Sequence, residues 1–258
     1  MVPLRDENPT RITPYVTYGL IAVNILVFLF ESSLMGTPYL EAFIRHWSIV
    51  PAQLTASFHG DPNYPLLYEG STLITSQFLH AGLLHVGGNM LYLWIFGNNV
   101  EEQMGQVRFL LFYLLCGVLA ALAQCFFAPG STIPSLGASG AIAGVMGAYI
   151  LRFPQVRILT VVPFFIFFTT LQIPAIVYLG IWFVQQALYG FASFNTPTMV
   201  GMEGGGVAYW AHAGGFVFGA VLGPLFGLFS KPTTPNAGPD VQSPGGQLNL
   251  ESPDSYNS

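Results

Sequence analysis

The chain has 258 residues, 52% of them hydrophobic and only 7% charged, whereas soluble domains carry about 25% charged residues. That excludes a soluble enzyme and predicts a multi-pass membrane protein. The formal charge of -5 is scattered without a run, so neither a nucleic-acid surface nor an acidic partner is indicated.

Residues 1–14 are polar, with three prolines and two arginines, and read as a short tail. Tyr15 to about Leu34 is the first span, because the apolar run Val16 to Phe30 lacks the small-residue cleavage site of a signal peptide. Gly36 to Gln77 is too apolar for a free loop and is expected to lie partly embedded at the interface, with one short amphipathic helix. Span two runs from about Leu83 to Asn99 and span three from Val107 to Ala128. Cys116 and Cys125 both fall inside span three, which makes them buried small side chains and not a disulfide framework.

Span four lies within Ser135 to Arg152. Gly137, Ala141, Gly144 and Ala148 recur there at three- and four-residue spacing, giving a face slim enough for backbone-to-backbone packing. As a helix, Gly137 to Leu151 covers about 22 Å against a bilayer core of about 30 Å. A short, slim, hydroxyl-bearing helix belongs at the centre of a bundle. Arg152 to Thr170 is read as a loop or half-buried segment, since Val161 to Phe168 is apolar but too short to cross and broken by Pro163. Span five is Ile173 to Tyr189, Phe191 to Gly206 is a glycine-rich connection, and span six is Val207 to Phe229. The domain expected is therefore 15–230, followed by a Pro, Gly, Ser and Asn-rich tail, 231–258, with too little apolar content to fold. With the N-terminus inside, Arg5, Arg11, Arg108, Arg152, Arg157 and Lys231 fall on the cytoplasmic side and only Arg45 falls outside.

Several polar groups sit where lipid penalises them. Ser139 lies near the start of span four, where unpaired N–H groups and the positive end of the helix dipole favour developing negative charge. His85 and Asn89, four apart, project from one face of span two. His212 adjoins the stripe Gly215, Gly219 and Gly223 of span six. Counted at 1.5 Å per residue from the inner boundary, Asn89 lies about 18 Å up, Ser139 about 20 Å and His212 about 27 Å. All three share the outer half. Pressing span six against span four would bring His212 beside Ser139, a nucleophile and general-base pair for acyl transfer. No Asp or Glu lies in a span's core, Glu31, Glu101, Glu102 and Glu203 being the nearest, which favours a dyad over a triad.

Gly137-Ala138-Ser139-Gly140, His85-x-x-x-Asn89 and Ala211-His212-x-x-Gly215, with Thr75 to His80 and Phe96 to Glu101 flanking them, resemble the rhomboid family of intramembrane serine proteases. The resemblance covers roughly Tyr15 to Phe229. It implies an all-α membrane protein, a six-transmembrane-helix bundle with a partly embedded first loop. It implies Ser139 as nucleophile, His212 as base, His85 and Asn89 as oxyanion donors, His80 lining the cavity, and Gly215 and Gly219 as packing glycines. Two positions depart from the pattern: Ala143 stands where some members stack an aromatic on the catalytic imidazole, and a Trp-Arg pair of the first loop is missing before Thr75.

The activity implied is an endopeptidase acting on membrane-protein substrates within the bilayer, at or beside a transmembrane helix. Gly201 to Gly206 with span five would form a moving gate. No metal or other cofactor is implied, because His80, His85 and His212 lack accompanying carboxylates or cysteines. The location expected is a bacterial inner membrane with both termini cytoplasmic. A catalytically silent rhomboid-like protein that binds membrane clients is the alternative. A small transporter is disfavoured, for the chain lacks a carboxylate relay and two repeated halves with broken helices.

Overall fold

The computed structural model describes residues 1–164, 167–193 and 208–230. The glycine-rich stretch Gly201 to Gly206 and the tail 231–258 lie outside the described residues. The described chain is mostly helical. Six longer helices are α1 (Tyr15–Ser33), α5 (Leu83–Met104), α6 (Gln106–Phe127), α7 (Ser139–Arg152), α8 (Ala175–Ser193) and α9 (Tyr209–Leu222), and α2 (Tyr39–Trp47), α3 (Pro51–Phe58) and α4 (Leu66–Thr75) fold the first connection. By length and apolarity, α1, α6 and α8 can each cross a membrane. Their outward faces leave side chains such as Leu26, Leu29, Leu111 and Leu188 exposed, as a lipid solvent requires.

The core is built on α7. Every residue from Gly140 to Tyr149 is buried, and the reason is the row of small side chains on both partners. A Cβ added at Gly215 would strike the carbonyl oxygen of Gly140, one at Gly219 that of Gly144, and one at Gly147 that of Phe216. On the third side, a Cβ at Gly144 would lie 2.5 Å from Cys116 Cβ on α6. Thus α7 and α9 meet backbone to backbone and the small side chains of α6 close the third side, gaining close dispersion contact where no aqueous hydrophobic effect is available. Both cysteines are free and buried.

Polar groups at one end of the bundle are paired. Helix α1 has no capping side chain of its own; Glu101 of α5 accepts from the N–H groups of Val16 (3.0 Å) and Thr17 (2.8 Å) and from the Thr17 hydroxyl (2.7 Å). A carboxylate there satisfies orphan donors and sits at the positive end of the dipole. At the same end of α5, Gly105 with φ +80° makes the one-residue joint to α6, a backbone conformation that disfavours any Cβ.

Three expectations are corrected. Residues 1–14 are not merely a tail: β1 (Val2–Asp6) pairs antiparallel with β2 (Arg157–Phe164), which pairs with β3 (Phe167–Pro174). Residues 153–170 therefore hold most of a hairpin and not an irregular loop. Pro163 fits because it sits opposite Phe168, next to the end of β2, where a missing N–H disturbs least. The first connection contains three helices, not one, because Pro38, Val50 and Pro65 each precede a separate short apolar segment.

The sheet is fastened to the helices through Asp6, whose Oδ2 accepts from the Tyr149 hydroxyl of α7 (2.5 Å) and from Asn99 Nδ2 of α5 (2.9 Å). Burial raises the Asp6 carboxyl above its ordinary value, against the lowering effect of the Tyr149 hydrogen bond. A carboxyl whose pKa is raised on folding stabilises the fold below its unfolded pKa, and that contribution is lost as pH climbs through the folded one. The wild-type protein in detergent is expected to lose thermal stability over that interval, and Asp6→Asn, which keeps an acceptor for Tyr149, to lack the dependence. Asp6→Ala is expected to cost about 1–3 kcal/mol by leaving the buried hydroxyl unpaired, read as a lowered Tm. At the helix contact, Gly219→Ala is expected to destabilise by about 1–3 kcal/mol through overpacking. Gly180→Ala on α8, where an added Cβ meets nothing within 4 Å, should leave Tm unchanged or raise it.

Candidate active site

Ser139 is the first residue of α7, and the chain reaches it through a constrained approach. Ser135 and Ile49 exchange backbone hydrogen bonds (3.1 and 2.7 Å), and the Gly137 N–H donates to Ser76 O (2.8 Å). Gly137 has φ +124°, so glycine is required by conformation as well as by space. The first helical bond runs from the Ile142 N–H to Ala138 O (3.0 Å). The N–H groups of Ser139, Gly140 and Ala141 precede it, and the dipole of α7 ends positive at the hydroxyl.

His212 lies in the first turn of α9. The glycine contacts put α9 against α7, and His212 Nε2 and Ser139 Oγ are 2.8 Å apart, both side chains half-buried. The other ring nitrogen, Nδ1, is 2.8 Å from Gln186 Oε1 on α8. An amide oxygen only accepts, so Nδ1 carries the hydrogen and Nε2 presents its lone pair to the Ser139 hydroxyl. Trp182, one turn before Gln186, lies with its ring centroid 5.9 Å from the imidazole at 33° between planes.

His85 and Asn89 of α5 reach the same place from the opposite side. A Cβ at Gly137 would lie 2.9 Å from His85 Nε2 and 3.7 Å from Asn89 Nδ2, so both groups stand two residues ahead of Ser139. Asn89 Nδ2 is buried without a hydrogen-bond partner among the described residues. His85 Nδ1 accepts from the Ala81 N–H (3.4 Å), which leaves Nε2 as the protonated, donating nitrogen. The structure thus brings Ser139, His212, His85 and Asn89 together, with Gly215 and Gly219 in the helix contact behind them.

His80 is placed differently from a cavity wall. It is 2% exposed, packed edge-on against the His85 ring at 5.2 Å, and its backbone N–H donates to the buried Glu31 carboxylate. Glu31 lies in the last turn of α1, at the span end, and is buried there as an acceptor. Sequence reasoning missed Gln186 and Trp182. The signal available was an amide pair, Gln185-Gln186, inside an otherwise apolar run, which the rule for polar residues in membrane helices picks out.

Residues 68–229 match the family model described as the rhomboid domain. The chain is 32% identical over 223 residues to rhomboid protease GluP of Bacillus subtilis, covering 84% of this chain and 37% of that protein. It is 29% identical over 205 residues to the mitochondrial presenilin-associated rhomboid-like protein of Bos taurus, covering 78% and 46%. It is 42% identical over 165 residues to the mitochondrial RHOMBOID-like protein 6 of Arabidopsis thaliana, covering 56% and 53%. The chain spans about half or less of each of these relatives. Two of the three are mitochondrial by name, so a bacterial inner membrane is not supported over other membranes. With a matched domain covering well over half of its length, this transmembrane chain belongs to the rhomboid family.

Proposed function

We propose that the chain is a serine endopeptidase that hydrolyses peptide bonds of membrane proteins within or beside a transmembrane helix. The observation that carries this reading is the 2.8 Å separation of Ser139 Oγ and His212 Nε2 at the dipole-positive start of α7. His212 removes the hydroxyl proton as Ser139 Oγ bonds to the substrate carbonyl carbon. The carbonyl oxygen becomes an oxyanion, for which the N–H groups at the start of α7, Asn89 Nδ2 and His85 Nε2–H are donors. His212 returns the proton to the leaving amine as the C–N bond breaks. Water, deprotonated by the same imidazole, then releases the acyl group and restores Ser139.

In this reading α1, α5, α6, α7, α8 and α9 are six spans. Helices α7 and α9, at 14 residues each, reach only about 21 Å, so water can enter above Ser139 without crossing the bilayer. Both termini are assigned to the cytoplasm. That agrees with the arginine distribution and with β1, which contacts the end of α7 opposite Ser139 through Asp6 and Tyr149. The substrates are membrane proteins that carry a transmembrane helix, and the bilayer is the other partner. The name of GluP, a rhomboid protease, supports the same chemistry.

The test is cleavage of a generic transmembrane substrate by purified protein in detergent and in proteoliposomes. Ser139→Ala and His212→Ala are expected to abolish turnover. Asn89→Ala should lower kcat by about 10²–10³-fold, the effect of one oxyanion donor, with the Tm retained. Undiminished cleavage by Ser139→Ala would remove the nucleophile and, with it, the proposal.

A further inference from the structure

We infer that Gln186 is the positioning residue of the base: its amide oxygen holds His212 in the Nδ1–H tautomer and in line with Ser139. The inference rests on the peptidase reading for its kinetic consequence, but not for its geometry.

Four observations carry it. Gln186 Oε1 is 2.8 Å from His212 Nδ1 while Nε2 is 2.8 Å from Ser139 Oγ, so both ring nitrogens are engaged at once. Gln186 is buried on a helix whose neighbouring positions Val184, Gln185 and Leu188 are exposed. A buried amide on such a helix is costly unless hydrogen-bonded, and among the described residues His212 is its hydrogen-bond partner. Trp182, four residues earlier on the same face, lies beside the imidazole and 6.1 Å from the Phe216 ring, so one stripe of α8 braces the base at its edge and side. Finally, Ala143, four residues after Ser139, is fully buried and has no ring to lend. The support that some rhomboids draw from α7 comes here from α8.

The choice of an amide has a chemical meaning. An imidazole free to choose its tautomer places the hydrogen on Nε2 part of the time, and an Nε2–H cannot accept the serine proton. A carboxylate would fix the tautomer too, yet would place a charge beside lipid-packed helices; the amide fixes it while remaining neutral. A neutral partner orients the base without strongly favouring the imidazolium. Replacing it by a carboxylate therefore raises the pH below which the base is lost to protonation.

The experiment compares wild type, Gln186→Met, Gln186→Glu and Ser139→Ala in detergent, with a transmembrane substrate and with selectively ¹⁵N-labelled histidine. The His212 resonances are assigned by their absence from His212→Ala. Gln186→Met keeps length and volume but offers only a weakly accepting thioether in place of the amide oxygen. It is expected to lower kcat about 10- to 100-fold, part of the 10²–10⁴ that a general base contributes, with KM and Tm near wild type. Gln186→Glu is expected to recover most of that loss and to move the acid limb of the kcat profile to higher pH. The ¹⁵N spectrum of wild type should show the Nδ1–H form, and that of Gln186→Met a mixture. Wild-type kcat in Gln186→Met, or an Nε2–H tautomer in the unaltered protein, overturns the assignment. Turnover that survives in Ser139→Ala, or no cleavage by any form, counts instead against the peptidase reading, and the ¹⁵N pattern then decides on Gln186 alone.

Discussion

A helix carrying any side chain at position 219 could not lie where α9 lies, because the Gly144 carbonyl already fills that space; the same holds one turn away for Gly215 against Gly140. These contacts are the constraint from which the polar cluster follows. Ser139 and His212 stand on different helices, and the distance between them is set by how near the two backbones can come. Bulk at either glycine would push the axes apart, and hydrogen-bond reach is lost within about 1 Å. The small residues of α7 thus determine distance first and stability second. With α6 closing the third side through Cys116 and Ala120, α7 cannot tilt away to compensate.

Around this dry centre the charged groups are few and mostly engaged. Glu101 caps α1, Glu31 accepts from the loop ahead of α5, and Asp6 joins a strand to two helices. Each tethers an element that apolar packing alone would leave free to slide, since lipid does not drive helices together as water does. The site itself uses neutral groups: a hydroxyl, two imidazoles and two carboxamides. Their hydrogen bonds give direction without the desolvation cost of a fixed ion in a thin apolar layer.

Much of this was legible in the residues. The apolar runs gave α1 to within one residue of its observed end, and the small-residue spacing of α7 marked it as the central helix. The pairing of Ser139 with His212 followed from the glycine stripe, because a stripe states which face touches which. The rest was hidden for physical reasons. The β-hairpin looks like an interrupted apolar run until its partner is known, and that partner, Val2–Asp6, sits in a segment whose prolines and charges suggest solvent. Gln186 was visible as a polar residue, but its neighbour Gln185 is the same residue type and faces outward. Only the helix's rotation, set by packing, tells the two apart.

The pairing of Val2 with Val161 also bears on the order of assembly. Strand β1 leaves the ribosome before the whole run from α1 to α7, and its ladder has no template until β2 has been made. Asp6 meanwhile waits for Tyr149, a residue synthesised almost as late. Closing a loop of this length carries an entropic penalty that must be met before the contacts are gained. Docking of β1 therefore waits until most of the bundle has been made, and until then the Tyr149 end of α7 lacks its partner strand.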